Sequence, residues 1–353
     1  TPPTGYKALN TSNLDDPSIA DPTKHFNTKL WTSTSADGTS ALGAVTGVGF
    51  QPDLVWAKGR SAAWDHSLFN SVMGTGLGKA LYAAGAYDTS GYGNVTSFDS
   101  DGFTVGLTAG NNYAYNYGSG TKYLAWNWKA GGTASSNTDG IITSSVSANP
   151  TAGFSIVSWT ASGTNNDTVG HGLSVVPELI IMKSRDGARD WYAYTQALDG
   201  SLDFFLLNGT NAKQDSGANV PTSSVFSVIG STVNVSGEKM IGYCFNSVEG
   251  YSKVGIYTGN GSADGTFVYT GFRPAFIMFK RADSASNWTM FDNKTDPQNA
   301  VGREIYTDLA NAEAGHYNAL DFVSNGFKLR SVTYSINASS SSFIYLAFAE
   351  SPF

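Results

Sequence analysis

The 353-residue chain is poor in charge, histidine, cysteine and long apolar runs, and each scarcity removes a class of function. Only 14% of residues are charged, the net charge is −7, and lysine and arginine never cluster. Nucleic-acid binding, which needs a basic face, is therefore excluded. One cysteine, Cys244, forbids an internal disulfide and a cysteine-based metal cluster, and reads as a small buried hydrophobe. Large proteins without disulfides suit particles assembled in a reducing cytoplasm and used outside it. Apolar runs such as Leu179-Ile180-Ile181-Met182 are strand length, far short of the ~20 residues of a membrane-spanning helix, so no membrane insertion is expected. No secretory signal or basic amphipathic anchor stands out. The chain starts at Thr1, as expected of a processed chain or part of a longer one.

What is abundant is turn and strand chemistry: 40 Gly, 20 Phe, 18 Tyr and 8 Trp. Aromatic and β-branched residues punctuated by Gly, Asn, Asp and Ser describe short strands joined by tight turns. Windows with the periodicity of amphipathic helices are nearly absent. The expected class is all-β.

Three diverged copies of one unit follow each other. The first carries Gly49-Phe50-Gln51-Pro52, an apolar run and Lys58, then Trp64. The third carries Gly271-Phe272-Arg273-Pro274, an apolar run and Lys280, then Trp288. The second keeps Pro177, the run, Lys183 and Trp191, and in all three the lysine stands six residues after the proline. Closing landmarks are Phe98-Asp99-Ser100-Asp101-Gly102-Phe103 and Phe322-Val323-Ser324-Asn325-Gly326-Phe327, with a trace at Val225-Phe226-Ser227-Val228. Proline fixes φ at a strand entrance, a continuous apolar run suits a strand covered on both faces, and Asp-Gly or Asn-Gly makes hairpin turns. These features predict three tandem antiparallel β-sandwich modules over 29–131, 150–251 and 252–353. Residues 1–28 read as an extended lead-in. Residues 132–149, rich in Gly, Ser, Thr and Asn, read as a flexible or surface-draped linker, whereas the second and third modules should abut rigidly.

Chemistry is sparse. His25, His66, His171 and His316 occupy different places in the repeat frame, so no histidine site is repeated. Trp64-Asp65-His66-Ser67 sets an acid, an imidazole and a hydroxyl side by side, but neighbours on a strand face opposite ways and make a poor relay. No nucleophile elbow, paired metal-binding histidines or phosphate loop occurs, and no carboxylate pair of the glycosidase kind stands out. Asp99-Ser100-Asp101-Gly102 and Ser262-Ala263-Asp264-Gly265 read as turns over calcium loops. Neither a catalytic residue, a metal nor a cofactor is expected. Lys58, Lys183 and Lys280 read as strand ends in solvent, and Trp64, Trp191 and Trp288 as one core position of each copy. The candidate ligand face is Tyr113, Tyr115 and Tyr117, which would share one side of an extended strand. Its alternative is an arm packed on a neighbouring module or subunit.

The chain resembles a family of repeat-containing virion proteins of tailed phages, especially marine ones. The resemblance rests on Pro3-Thr4-Gly5-Tyr6-Lys7-Ala8-Leu9-Asn10-Thr11 with Ile19-Ala20-Asp21-Pro22, and on Ser97 through Phe103. Tyr257-Thr258-Gly259-Asn260-Gly261 through Pro274, and the ending Ala347-Phe348-Ala349-Glu350-Ser351-Pro352-Phe353, extend it to essentially the whole chain. In that family the stretch starting at Thr1 often follows a SPRY-like β-sandwich. The resemblance implies a non-enzymatic tail, fibre or other structural component at the virion surface. Its implied partners are other virion proteins, copies of itself (by analogy a trimer) and a host-surface glycan. It brings no catalytic motif, and the second copy departs most from its pattern. The alternatives are a secreted or cell-surface bacterial filament or carbohydrate-binding protein, and a polysaccharide depolymerase.

Overall fold

Each proline-led apolar run becomes a strand with no exposed residue at its centre, and that strand organises a module. The computed structural model describes residues 17–352 except 37–39, 77, 88–94, 107–114 and 316. In the first module the strands are β1 (Phe26–Thr32), β2 (Gly43–Thr46), β3 (Leu54–Gly59), β4 (Ser67–Asn70), β5 (Leu81–Tyr82), β6 (Val95–Asp99), β7 (Gly102–Val105) and β8 (Lys122–Trp128). The second holds β9 (Ser135–Asn137), β10 (Ser144–Asn149), β11 (Phe154–Thr160), β12 (Asp167–Gly170), β13 (Leu179–Ser184), β14 (Tyr192–Thr195), β15 (Asp203–Leu206), β16 (Gln214–Asp215), β17 (Val225–Val228) and β18 (Lys239–Phe245). The third holds β19 (Ser252–Thr258), β20 (Phe267–Tyr269), β21 (Arg273–Arg281), β22 (Thr289–Asp292), β23 (Ile305–Tyr306), β24 (Leu320–Val323), β25 (Gly326–Leu329) and β26 (Ser342–Ser351). One helical turn, α1 (Tyr334–Asn337), precedes β26.

The repeats share one topology, and the class is all-β. The large sheets run β1-β8-β3-β4-β5 and β19-β26-β21-β22-β23, and the second sheet contains β11-β18-β13-β14-β15 in the same order. Small outer sheets, β2-β7-β6, β12-β17 and β20-β25-β24, cover each large one. The second module lacks the counterpart of β6 and β24, which is why only a trace of the closing landmark survives there. In the other two, Gly102 and Gly326 close hairpins of identical form. A Cβ on either would come within 2.0 Å of a carbonyl oxygen, Val45 O or Val268 O. Glycine is required there by the close approach of the next strand.

Alternation along one strand separates two cores. On β8, Tyr123 and Ala125 pack between the sheets of the first module, while Leu124, Trp126 and Trp128 face the other way. The equivalent strands divide likewise: Met240 and Cys244 against Ile241, Tyr243 and Phe245 on β18, and Phe343, Tyr345 and Ala347 against Ile344, Leu346 and Phe348 on β26. The second set from every module enters one common core. Register makes Trp128, Phe245 and Phe348 equivalent, opposite Leu54, Leu179 and Phe276. Their rings form a closed triangle, with centroids 6.4 Å (Trp128–Phe245), 6.2 Å (Phe245–Phe348) and 5.7 Å (Phe348–Trp128) apart. Three sandwiches therefore close into a ring around a shared core.

Two expectations change. Modules expected in a row instead surround one core, because the apolar face of each large sheet has no cover within its own module. Residues 132–149, expected as a flexible or surface-draped linker, contribute β9 and β10, which extend the second sheet through β11. Ser144 and Val146 are buried while Ser145 between them is less so, and Ser147 is buried too, accepting from Gly131 N at 3.0 Å. The nominal lead-in already starts β1 at Phe26, and Ile19 is buried in the common core; residues 1–16 lie outside the described residues.

Truncating the triangle tests its weight. Trp128→Ala should cost about 4 kcal/mol in urea denaturation, as buried Trp→Ala changes do. Trp128→Phe, which only makes the triangle uniform, should cost less than about 2 kcal/mol. Equal, small losses for both would contradict the assignment.

Candidate functional site

The tyrosine face does not form among the described residues. Tyr115 has φ of 62°, so the backbone there is not extended, and its ring is 4% exposed in the core of the first module. Trp31 Nε1 donates to the Tyr115 carbonyl at 2.9 Å. Burial pushes the phenol far above its ordinary range. Tyr117 is half-buried, set edge-on against Trp64, and its carbonyl accepts from the Tyr123 hydroxyl. Tyr113 lies outside the described residues, as does His316. A left-handed residue at 115 breaks the alternation that the sequence pattern assumed.

His66, Lys58, Trp191 and Trp288 instead bond across the seams between modules. Register aligns His66, not Trp64, with Trp191 and Trp288, since Ser67, Tyr192 and Thr289 face Tyr82, Leu206 and Tyr306 respectively. Trp191 Nε1 donates to Tyr82 O at 2.7 Å and Trp288 Nε1 to Leu206 O at 2.9 Å, each reaching the preceding module. His66 Nε2 completes the circuit on Tyr306 O of the third module at 2.7 Å. Its Nδ1 accepts from Trp56 Nε1 at 2.9 Å, which fixes the neutral Nε2–H tautomer. The acid beside it is not a relay partner: Asp65 Oδ1 accepts from the backbone of His66 and Ala84. Trp64 is only partly buried and packs on the rim of the first module's core.

The repeated lysines are fully buried, contrary to the solvent-facing position expected of them. Lys58 Nζ donates to the carbonyls of Gly59 (2.9 Å), Trp64 (2.5 Å) and Ala310 (3.1 Å), the last in the third module. Lys183 donates to Ser184 O and Gly187 O, and Lys280 to Ser286 O. Burial brings Lys58 and Lys280 down to about 8. Each ammonium gathers the carbonyls of the loop that follows its strand, so the charge is enclosed by the chain it organises. Arg60 joins Glu313 across the same seam at 2.8 Å. Burial likewise pushes the Cys244 thiol to about 12.

The acidic glycine loops are occupied as turns. Asp101 caps Gly47 N at 2.9 Å and Gly49 N at 2.7 Å, and these bonds hold its carboxyl below the ordinary range. Asp264 pairs with Lys328 at 2.7 Å. Among the described residues no group of three or more His, Cys, Asp or Glu is placed to hold a metal ion.

Two open clefts flank the β9–β10 arm, and Ser145 lines both. One, about 400 Å³, is bordered by Ser136, Ser158, Trp159, Arg185 and Lys239. The other, about 620 Å³, lies where the entrance of β3 and exit of β4 meet residues 132–134. At its base Asp53, 2% exposed, uses Oδ2 to accept from Ala130 N (2.8 Å) and Gly132 N (3.3 Å). Its Oδ1 and Ser71 Oγ are sealed from solvent beneath the lining and have no hydrogen-bond partner. Thr96, Thr133 and the half-buried Phe98 complete the wall. The equivalent place between the third and first modules, around Ala275, Asn293 and Thr28, closes to about 20 Å³. Sequence reading missed this cleft because Asp53 and Thr133 are brought together by the pairing of β3 with β8, which sets Leu54 opposite Trp128; the Pro52-Asp53 strand entrance was its one local signal.

His66 yields a pH signature. Burial, its largest influence, holds the folded-state imidazole well below 6.5, and His25 and His171 shift the same way. The unfolded chain therefore binds more protons as pH falls past 6.5, and stability complete above that value declines below it. From pH 7.5 to 6, denaturation free energy should drop by about 1 kcal/mol through His66. His66→Gln should flatten the slope by that amount; identical slopes for both proteins would contradict a neutral seam histidine.

No curated protein and no solved structure matches the chain. One family model, described as "Domain of unknown function (DUF7483)", matches residues 21–352 and so runs without a break through the entire three-module ring. The chain belongs to that family.

Proposed function

We propose that this protein is a non-enzymatic structural and adhesive component of a tailed-phage virion, a tail-fibre, spike or head-appendage part that contacts a glycan on the host surface. Assembly with other virion proteins and with copies of itself belongs to this reading. The observation that carries it is the pair of hydroxyl-lined clefts flanking a strand arm on a rigid three-lobed ring. Open polar clefts on a fixed frame suit adhesion, where many copies on one particle turn weak contacts into avidity. The displaced titrations of His66 and Lys58 belong to a buried seam and that of Lys280 to the loop that encloses it, which supports scaffold chemistry over catalysis. The resemblance to repeat-containing virion proteins supports the particle. The shared core changes its shape from an extended series to a knob, so reach would come from neighbouring parts.

Mass spectrometry of purified particles tests the reading. The protein should be recovered with the particle in fixed ratio to other structural proteins; recovery only from host cytosol would remove it.

A further inference from the structure

The smaller cleft gathers charge that the sequence scatters. Arg185 and Lys239 are far apart in the chain, but Arg185 N donates to Lys239 O at 2.8 Å, so they stand side by side where β13 ends and β18 begins. Thr160 on β11 lies opposite Lys239 and continues that row. Two residues along, Ser136, Ser145 and Ser158 stand opposite one another across β9, β10 and β11. Residues two apart on a strand share a face, so the basic row and the hydroxyl row line one open cleft of about 400 Å³. Arg185 Nη1 joins the rows by donating to Ser158 Oγ at 3.3 Å. These groups are within reach of solvent: Lys239, Thr160 and Ser136 are exposed, and Ser145, Ser158 and Arg185 are half-buried.

The lining sets the charge of the occupant. Among the described residues no carboxylate lines the cleft. The acids that adjoin Arg185 and Lys239 in the chain have other tasks: Asp186 Oδ2 accepts from Lys239 N at 2.9 Å, and Glu238 holds Arg189 and Ser184. Even with Asp186 counted against them, the two cations keep one positive charge in excess. Burial lowers the Arg185 guanidinium from its ordinary value, which places its charge where water is scarce.

The first copy shows what this position takes. Arg60 is the equivalent of Arg185, since its N–H meets Lys122 O as that of Arg185 meets Lys239 O. Its Nε holds the Glu313 carboxylate of the third module at 2.8 Å. Guanidinium and carboxylate match in geometry as well as charge. The hydroxyl row is peculiar to the second copy, because β9 and β10 have no counterpart among the described residues and Ser158 stands where the others carry Leu30 and Ile256. A uronic acid combines both needs, with a carboxylate on a ring whose hydroxyls donate and accept.

We propose that the cleft bounded by Arg185, Lys239, Ser158 and Ser145 binds an acidic glycan, with a uronate carboxylate on Arg185 and Lys239 and sugar hydroxyls along the serine row. This rests on the adhesive reading and gives it a location and a charge.

The full chain should be titrated by calorimetry and saturation-transfer NMR with three probes: an oligouronate, the neutral oligosaccharide of the same linkage and length, and an oligoglutamate of the same charge. The oligouronate should bind, less tightly as salt is raised, and at least about tenfold better than either control. Arg185→Gln should weaken it at least about tenfold, as loss of a charged donor does. Lys239→Gln, at an exposed position, should weaken it a few-fold without shifting the melting temperature, and it retains the test if Arg185→Gln folds poorly. Absence of oligouronate binding, equal binding of either control, or unchanged affinity in both variants would overturn the proposal. Protein present on particles yet failing this titration would remove the acidic-glycan site and leave the virion assignment standing.

Discussion

Every large sheet here has two apolar faces, and water can be kept from only one of them within a module. The small outer sheets cover the first face. The second, carrying Leu124, Trp126 and Trp128 in the first module and their equivalents in the others, is covered only by the other two modules. Burying a large aromatic contributes several kcal/mol, at about 25 cal/mol per Å² over roughly 150–250 Å². The Trp128–Phe245–Phe348 triangle is where the three faces meet. Separating the modules would expose all three at once, so the ring and not the single sandwich is the unit of stability.

Ring closure also decides how the polar seams are satisfied. Each seam carries a side chain that donates to a backbone carbonyl of the neighbouring module: Trp191, Trp288 and, in the first module, His66. An imidazole can replace an indole because either ring presents an N–H at its edge. A second circuit runs closer to the axis, with Asn70 donating to the Tyr243 hydroxyl at 3.0 Å and Trp126 Nε1 3.4 Å from Asp292 Oδ2. The corresponding contact of the second module with the third is apolar, since Leu346 occupies the position of Tyr243 and Trp126. Divergence has altered the donors and kept the closure.

Much of this was legible in the sequence, and what was not has identifiable causes. The proline-led runs announced strands covered on both faces, and β3, β13 and β21 are buried throughout their centres. The pattern thus demanded a second cover, but could not say that other copies of the same module provide it. Trp64 drew attention as the first tryptophan after its strand, whereas the aligned residue stands eight positions after the lysine in every copy, which selects His66, Trp191 and Trp288. A lysine after an apolar strand looks solvent-bound until the following loop folds its carbonyls around the ammonium. The tyrosine alternation failed at one left-handed residue, Tyr115. The cleft at Asp53 had only its strand entrance to reveal it, because its lining comes from β3, β4, β6, the segment after β8 and Ser145 of β10, which strand pairing brings together.

Calorimetry of the full chain tests the shared core most directly. If the three modules depend on one another, heating should give a single transition whose calorimetric and van't Hoff enthalpies agree. Two or three separable transitions, each with the enthalpy of about 100 residues, would show modules that fold alone and would contradict the account.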